Sequence, residues 1–460
     1  MARRKPRYFV RFLFLAVPLA LIFLGVASFR SGPQPTVEIR PNLPGIGKST
    51  AIDVSVEEPV RGLSRVRIEW VQGDRVEILE ERSYTPRAPW QFWGPRITRE
   101  DFALVVGSDT LKKMEEGDST IRVIADPASA WLSRPEATPV ERLLPVKLRP
   151  PSLMVQSSRT YVAQGGSEAV VYRVGETAVR DGVQAGDWWF PGYPLPGGGA
   201  RDRFALFSMP YDLEDASLIR LVAYDDVGNM AQASFVDRAT VKPIRRDEIR
   251  LSDSFMGRVV PAILDQTPGL DDSGDLLEIY LRINGELRAQ NAATLTQLAE
   301  ASPPEFRWNK KFVPMKNGAV MSAFADRRTY TYNGNAVDRQ DHLGFDLAST
   351  AMAEIQAAND GVVVLARYFG IYGNCVVIDH GFGLLSLYGH LSSISVEEGQ
   401  SVVRNEIVGR SGVTGLAGGD HLHFTMMLRG LAVNPQEWWD AHWIHDRLKL
   451  KLGAALPFKE

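Results

Sequence analysis

Histidine is absent from the first 341 of the 460 residues, and all seven histidines lie between His342 and His445. Histidine is the side chain whose ordinary pKa lies near neutrality, so chemistry at pH 7 is expected in the last quarter of the chain. Cysteine is nearly absent. The single Cys375 excludes an intramolecular disulfide, and its setting in GNCVVID reads as a buried strand thiol. An excess of one charge is also missing, since 52 Lys and Arg against 55 Asp and Glu leave a net charge of -3. That excludes the basic footprint of a nucleic-acid-binding protein. With 45% hydrophobic and 23% charged residues the composition is that of a folded protein, and the length excludes a single core, so about three domains are expected.

One long hydrophobic run is present. Arg3, Arg4, Lys5, Arg7 and Arg11 precede an uncharged stretch from Phe12 to Phe29. Residues 1–30 are therefore expected to be a basic cytoplasmic stub and a membrane-inserting helix, long enough to span and orienting the chain N-terminus in. The expected location is the inner membrane, crossed once, with the rest of the chain periplasmic. Val26, Ala27 and Ser28 offer small residues at a cleavage position, but the apolar run exceeds a usual signal sequence, and an uncleaved anchor is expected.

Residues 31–42, rich in Pro and Gly, read as a spacer. The segments AIDVSVEEP, SRVRIEWVQ and EGDSTIRVIADP alternate apolar and polar residues, which predicts an antiparallel sheet with one wet face in residues 43–150. STIRVIAD recurs as SLIRLVAYDD, placing Ile121 and Ile219 98 residues apart. Two immunoglobulin-like sandwiches, 43–150 and 151–243, are the expectation. In 244–310 the period changes, and Leu276, Tyr280, Ile283 and Leu287 form the apolar stripe of a helical connector. Residues 311–445 are expected to be the catalytic domain and 446–460 a basic tail.

The chemistry concentrates in DHLGFD, LYGHLS and DHLHFT, which carry His342, Asp346, His390, His421 and His423. Side chains at i, i+2 and i+4 of a strand share a face, so His342 can meet Asp346, and His421 can meet His423. Zinc accepts imidazole nitrogen and carboxylate oxygen, and a catalytic site keeps three protein ligands with one position open. Four histidines and one aspartate supply three ligands and two further histidines.

From Ser322 to Trp439 the sequence resembles the LytM/lysostaphin-type zinc endopeptidases of bacterial cell walls. The resemblance is carried by HLGFDLA, IQAANDGVVVLA, YGNCVVIDHG, LYGHLS, Val396 to Val402, GVTG and HLHF. It implies a β-rich, mostly antiparallel peptidase with zinc on His342, Asp346 and His423, and with His390 and His421 as unliganded catalytic histidines. The substrate it implies is the peptide stem or cross-bridge of peptidoglycan. Relatives that activate other hydrolases lose the ligands, so a silent or autoinhibited wall-binding regulator is the alternative. An upstream tyrosine assists in some relatives, a role open to Tyr330 or Tyr332. The family often has Glu where this chain has Thr425, Gly-Gln where it has Asn405-Glu406, and a Gly-Thr-Pro turn where it has STAMAE. The first two departures are expected not to touch the metal set. His380, His442 and His445 are expected to be structural, with Trp439 and Trp443 docking a terminal helix on the peptidase.

Overall fold

The computed structural model describes residues 7–29, 34–85, 95–128 and 137–459. The fold is mainly β and divides into two compact units, residues 1–150 with 224–230, and residues 151–223 with 231–460.

In the first unit, strands Thr36–Pro41, Thr50–Glu57 and Arg99–Val106 form one sheet in that order. Strands Arg75–Ser83, Leu63–Gln72, Gly117–Pro127 and Val140–Val146 form the second. Alternation in Thr50–Glu57 turns Ile52, Val54 and Val56 inward, where they share one core with Val66, Ile68 and Trp70. The three alternating segments are thus split between two sheets, because an apolar face can be buried by a facing sheet as well as beside a neighbour. The expected spacer also carries a strand, for Val37 and Ile39 of Thr36–Pro41 pack on this core.

The second unit opens with another pair of four-stranded sheets. Strands Tyr193–Pro194, Asp202–Ser208, Ser167–Val174 and Leu153–Val155 make one, and Trp188–Pro191, Ala178–Ala185, Ile219–Asp225 and Met230–Ala233 the other. The recurring segments with Ile121 and Ile219 both occupy the third place of a four-stranded sheet. What the structure gives is two β-sandwiches of related plan, without the narrower immunoglobulin assignment.

Residues 7–29 are helical. Among the described residues no helix is long and apolar enough to cross a membrane. Arg3, Arg4 and Lys5 lie outside the described residues, as do the side chains of Val26, Ala27 and Ser28.

The connector begins with a strand, Arg246–Arg250, paired in parallel with Asp326–Tyr332 of the C-terminal domain. Helix Asp253–Gln266 follows, capped by Ser252, then helix Leu276–Arg282, whose Asp275 and Glu278 form a capping box. A π turn, Ile283–Leu287, leads into helix Arg288–Glu300. Tyr280, Ile283 and Leu287 of the stripe are buried against Tyr330 and Ile371 of the C-terminal domain.

The C-terminal domain is built on an antiparallel sheet. Its order is Ala319–Ser322, Phe345–Ala348, Leu422–Leu428, Leu384–Leu391, Asn374–Asp379, Gly361–Tyr368 and Ser401–Val402, with Leu431–Val433 paired to Leu422–Leu428. The second sandwich is joined to it through aromatic rings, with Phe382 at 5.2 Å from Phe204 and 4.5 Å from Phe306. Trp439 packs on Phe345 and Phe424, at 5.4 and 5.7 Å. The final residues are not a loose basic tail. Ile444, Leu448, Leu452 and Leu456 recur every four positions and are buried, while Lys451 reaches the buried Glu168 at 2.9 Å.

Glu437 sits in this joint and accepts the Ser167 N–H at 2.7 Å. Burial pushes its carboxyl up to about 7. The folded protein therefore holds a proton that the unfolded chain releases near its ordinary value, so stability is present at low pH and is lost as pH rises toward 7. Glu437→Gln mimics the protonated form. Melts at pH 5 should not separate variant from wild type, whereas at pH 8 the variant should be more stable by about 3 kcal/mol; a difference unchanged between the two pH values would exclude this proton.

Candidate metal centre

His342 and Asp346 do not share a strand. His342 ends strand Asn335–His342, Asp346 lies in Phe345–Ala348, and the chain breaks at Leu343-Gly344 between them. The break needs glycine, because a Cβ at Gly344 would come within 2.7 Å of the Phe424 carbonyl and 2.8 Å of the His423 ring. Asp346 is then in register with His423 on the neighbouring strand, and Gly389, beside His390, pairs with His423 from the other side.

Three ligand atoms converge. His342 Nε2 lies 3.0 Å from Asp346 Oδ1 and 3.1 Å from His423 Nδ1, and His423 Nδ1 lies 3.0 Å from Asp346 Oδ1. The outer atoms decide the tautomers. His342 Nδ1 donates to the Ala323 carbonyl at 2.9 Å, which leaves Nε2 as a lone pair. Thr425 Oγ1 donates to the Leu343 carbonyl at 2.9 Å, so its 3.0 Å contact with His423 Nε2 is accepted from that ring, leaving Nδ1 as a lone pair. Two imidazole lone pairs and a carboxylate oxygen thus face one another across a triangle with sides near 3 Å, an arrangement that a cation resolves. Tetrahedral bonds of about 2.0 to 2.1 Å place ligand atoms roughly 3.3 Å apart, so the donor set fits zinc.

The electrostatics agree with ligand forms that coordinate metal. Burial lowers His423 to about 4, favouring the neutral ring. Burial opposes ionisation of Asp346, but its contacts with His342, His421 and His423 hold the carboxyl well below its ordinary value. Its other oxygen, Oδ2, accepts from Arg328 at 2.9 Å, and Arg328 also donates to Ser322 Oγ at 2.8 Å.

The remaining two histidines stand beside the triangle. His390 and His421 have ring centroids 4.9 Å apart, and His390 is 5.7 Å from His423. His390 Nδ1 donates to the Thr414 carbonyl and His421 Nδ1 to the Gly419 carbonyl, both at 2.8 Å. These bonds leave Nε2 of His390 as the basic nitrogen, while His421 Nε2 lies 3.4 Å from Asp346 Oδ1. His390 is buried with φ +63, a left-handed backbone that a non-glycine residue holds only when its surroundings impose it. Burial, reinforced by His421 and His423, keeps it well below its ordinary pKa. Burial also opposes charging of His421, but Asp346 outweighs it and raises the ring above the ordinary value.

All five residues line one cleft of about 360 Å³. Tyr330 lines it as well, whereas the Tyr332 hydroxyl donates to Asp253 Oδ1 at 2.6 Å, outside the cleft lining. The STAMAE turn is tied beside His421, with the Met352 N–H donating to Asp420 at 3.0 Å. His380 is buried, bonded to the Asp360 carbonyl and Ser386, and His445 pairs with Asp446. Cys375 is buried in its strand.

Thr425 corrects one expectation, for it does touch the metal set. Second-sphere partners of this kind carry about 10- to 100-fold in metal affinity. Thr425→Val should therefore weaken zinc binding by about 10-fold or more in a chelator competition titration; wild-type affinity would remove Thr425 from the site.

A His/Asp/His cluster able to hold one metal ion, with two further histidines lining the same cleft, is that of a metallopeptidase domain. Residues 340–435 match the model of Peptidase family M23, so that stretch is an M23 peptidase domain. The chain is 30% identical over 216 residues to the peptidoglycan DD-endopeptidase ShyA of Vibrio cholerae, a match covering 47% of this chain and 45% of ShyA. It is 40% identical over 94 residues to the DD-carboxypeptidase/endopeptidase Mpg of Neisseria meningitidis serogroup B, covering 20% of this chain and 22% of Mpg. The chain thus spans less than half the length of either relative. A crystal structure of a candidate peptidase M23 from Pseudomonas aeruginosa is 23% identical, with a TM-score of 0.38, and covers 61% of this chain and 95% of that one.

Proposed function

We propose that this chain is a zinc-dependent endopeptidase that hydrolyses peptide cross-links of peptidoglycan. The observation that carries the proposal is the triangle of His342 Nε2, Asp346 Oδ1 and His423 Nδ1, with the two further histidines His390 and His421 beside it in the same cleft. Zinc held there supplies Lewis-acid polarisation of a carbonyl and acidification of a water.

The protein's own residues do the rest. Arg328 fixes Asp346 by one oxygen and leaves the other to the metal position. The Ala323 carbonyl and Thr425 set the two ligand tautomers. His390 and His421, held by carbonyls through Nδ1, offer Nε2 to take a proton from the attacking water and return it to the leaving amine. One of the pair serves as base, and the other, when protonated, donates to the developing oxyanion. The D-alanyl link to a diamino acid is the favoured bond, because ShyA and Mpg are named for DD-peptide cleavage. The silent-regulator alternative is disfavoured by a complete ligand set.

Such a substrate lies outside the cytoplasm. Although no helix among the described residues is long and apolar enough to cross a membrane, the exposed Phe12, Phe14, Leu15 and Phe23 of helix Arg7–Phe29 are the reason to propose anchoring in the inner membrane with the peptidase on the periplasmic side. Fractionation tests that part, and recovery wholly in the soluble fraction, starting near Phe29, would overturn it.

For the activity, zinc-loaded protein and its His421→Ala variant are incubated with peptidoglycan and released muropeptides are identified by mass spectrometry. Products made by the wild type alone support the proposal and identify the bond. Equal products, or none from either, count against it.

A further inference from the structure

The cleft is lined by three guanidiniums that differ in what neutralises them. Arg328 is paired with Asp346 at 2.9 Å and Arg250 with Glu248 at 3.3 Å. Arg288 donates from Nε to the Asn284 carbonyl at 3.0 Å and from its terminal nitrogen to Asn284 Oδ1. Both of these partners are neutral, and among the described residues Arg288 forms no ion pair within 4.0 Å. Among the described residues, Asp346 of the His/Asp/His cluster is the sole carboxylate lining the cleft. A half-buried guanidinium with only neutral acceptors favours an arriving anion, and its planar fork matches a carboxylate.

Arg288 is also held in place. It follows directly on the π turn Ile283–Leu287, an irregularity frequent at functional sites. Within that turn the buried Asn284 donates from Nδ2 to Asp338 Oδ2 at 2.7 Å, so the residue that grips Arg288 is itself fixed to strand Asn335–His342 of the peptidase. Tyr280 and Tyr372 line the cleft with it. Arg288, Tyr280 and Phe255 all come from the connector, outside residues 340–435.

We infer that Arg288 receives a carboxylate of the substrate, so that the helical connector sets which peptides are cut. The inference rests on the endopeptidase reading above. In a wall cross-link this chemistry has two sources, the C-terminal carboxylate of a stem peptide and the free carboxyl of its diamino acid.

The test uses the full zinc-loaded chain and three forms of one cross-linked peptide dimer: both carboxylates free, the C-terminal one amidated, and the diamino acid's one amidated. Wild-type kcat/KM should fall about 10- to 100-fold on one amidated form, and that form names the source. Arg288→Met should lose a similar factor on the free form, chiefly through KM, and should become indifferent to amidation, with Arg288→Lys intermediate. Zinc content and melting temperature check that each variant is folded. A wild type indifferent to both amidations, or an Arg288→Met variant that still discriminates as the wild type does, overturns the inference. If the wild type cleaves none of the peptides, the endopeptidase reading fails. Calorimetric binding of the same peptides then decides Arg288 separately: equal binding by wild type and Arg288→Met, or none, overturns it, and binding lost on both amidation and substitution upholds it.

Discussion

His423→Ala will fold and bind almost no zinc. His423 is one corner of the ligand triangle, and its Nδ1 stands about equally far from the other two atoms, 3.1 Å from His342 Nε2 and 3.0 Å from Asp346 Oδ1. Two ligands cannot replace three, and among the described residues the ligand-atom group close enough to hold a metal ion is His342, Asp346 and His423. Metal analysis after dialysis should give less than about a tenth of an equivalent, and turnover should fall by about 10³-fold or more, the scale of several kcal/mol of lost charge stabilisation. The fold should survive, since Leu422 and Phe424 on either side keep their core contacts. Full metal occupancy in a folded His423→Ala protein would dismantle the ligand assignment.

The residue types and their order made the centre legible in the sequence, and its supports were not. His342, Asp346, His390, His421 and His423 are the residues that meet, yet the geometry that brings the first two together is a break at Gly344, not the same-face periodicity of a single strand. Thr425 is two residues from His423 in sequence, which does not say whether its hydroxyl reaches the metal set. Only the fold puts the Leu343 carbonyl on one side of it and His423 on the other. Arg328 and Arg288 were two arginines among many, and what distinguishes them is which oxygens lie near, a tertiary fact. In the same way the stripe of Tyr280, Ile283 and Leu287 announced a buried helix face but not that Tyr330 and Ile371 would bury it. The final segment was read by its charges, whereas its fourfold spacing of Ile444, Leu448, Leu452 and Leu456 was the stronger signal.

His390→Ala should separate metal binding from catalysis. Its ring lines the same cleft while its Nδ1 is tied to the Thr414 carbonyl, and it contributes no atom to the triangle, so zinc content should stay near one equivalent. Turnover should drop about 10²- to 10⁴-fold, the range lost with a positioned acid or base. The backbone at His390 adds a structural control. At φ +63 alanine is strained as histidine is, so Ala tests the ring while holding the backbone requirement constant, and His390→Gly would relieve the strain and lose the ring together. Comparable loss in both variants assigns the effect to the imidazole. Turnover retained by His390→Ala would leave His421 as sole base, and the left-handed strain at position 390 would then need a structural explanation.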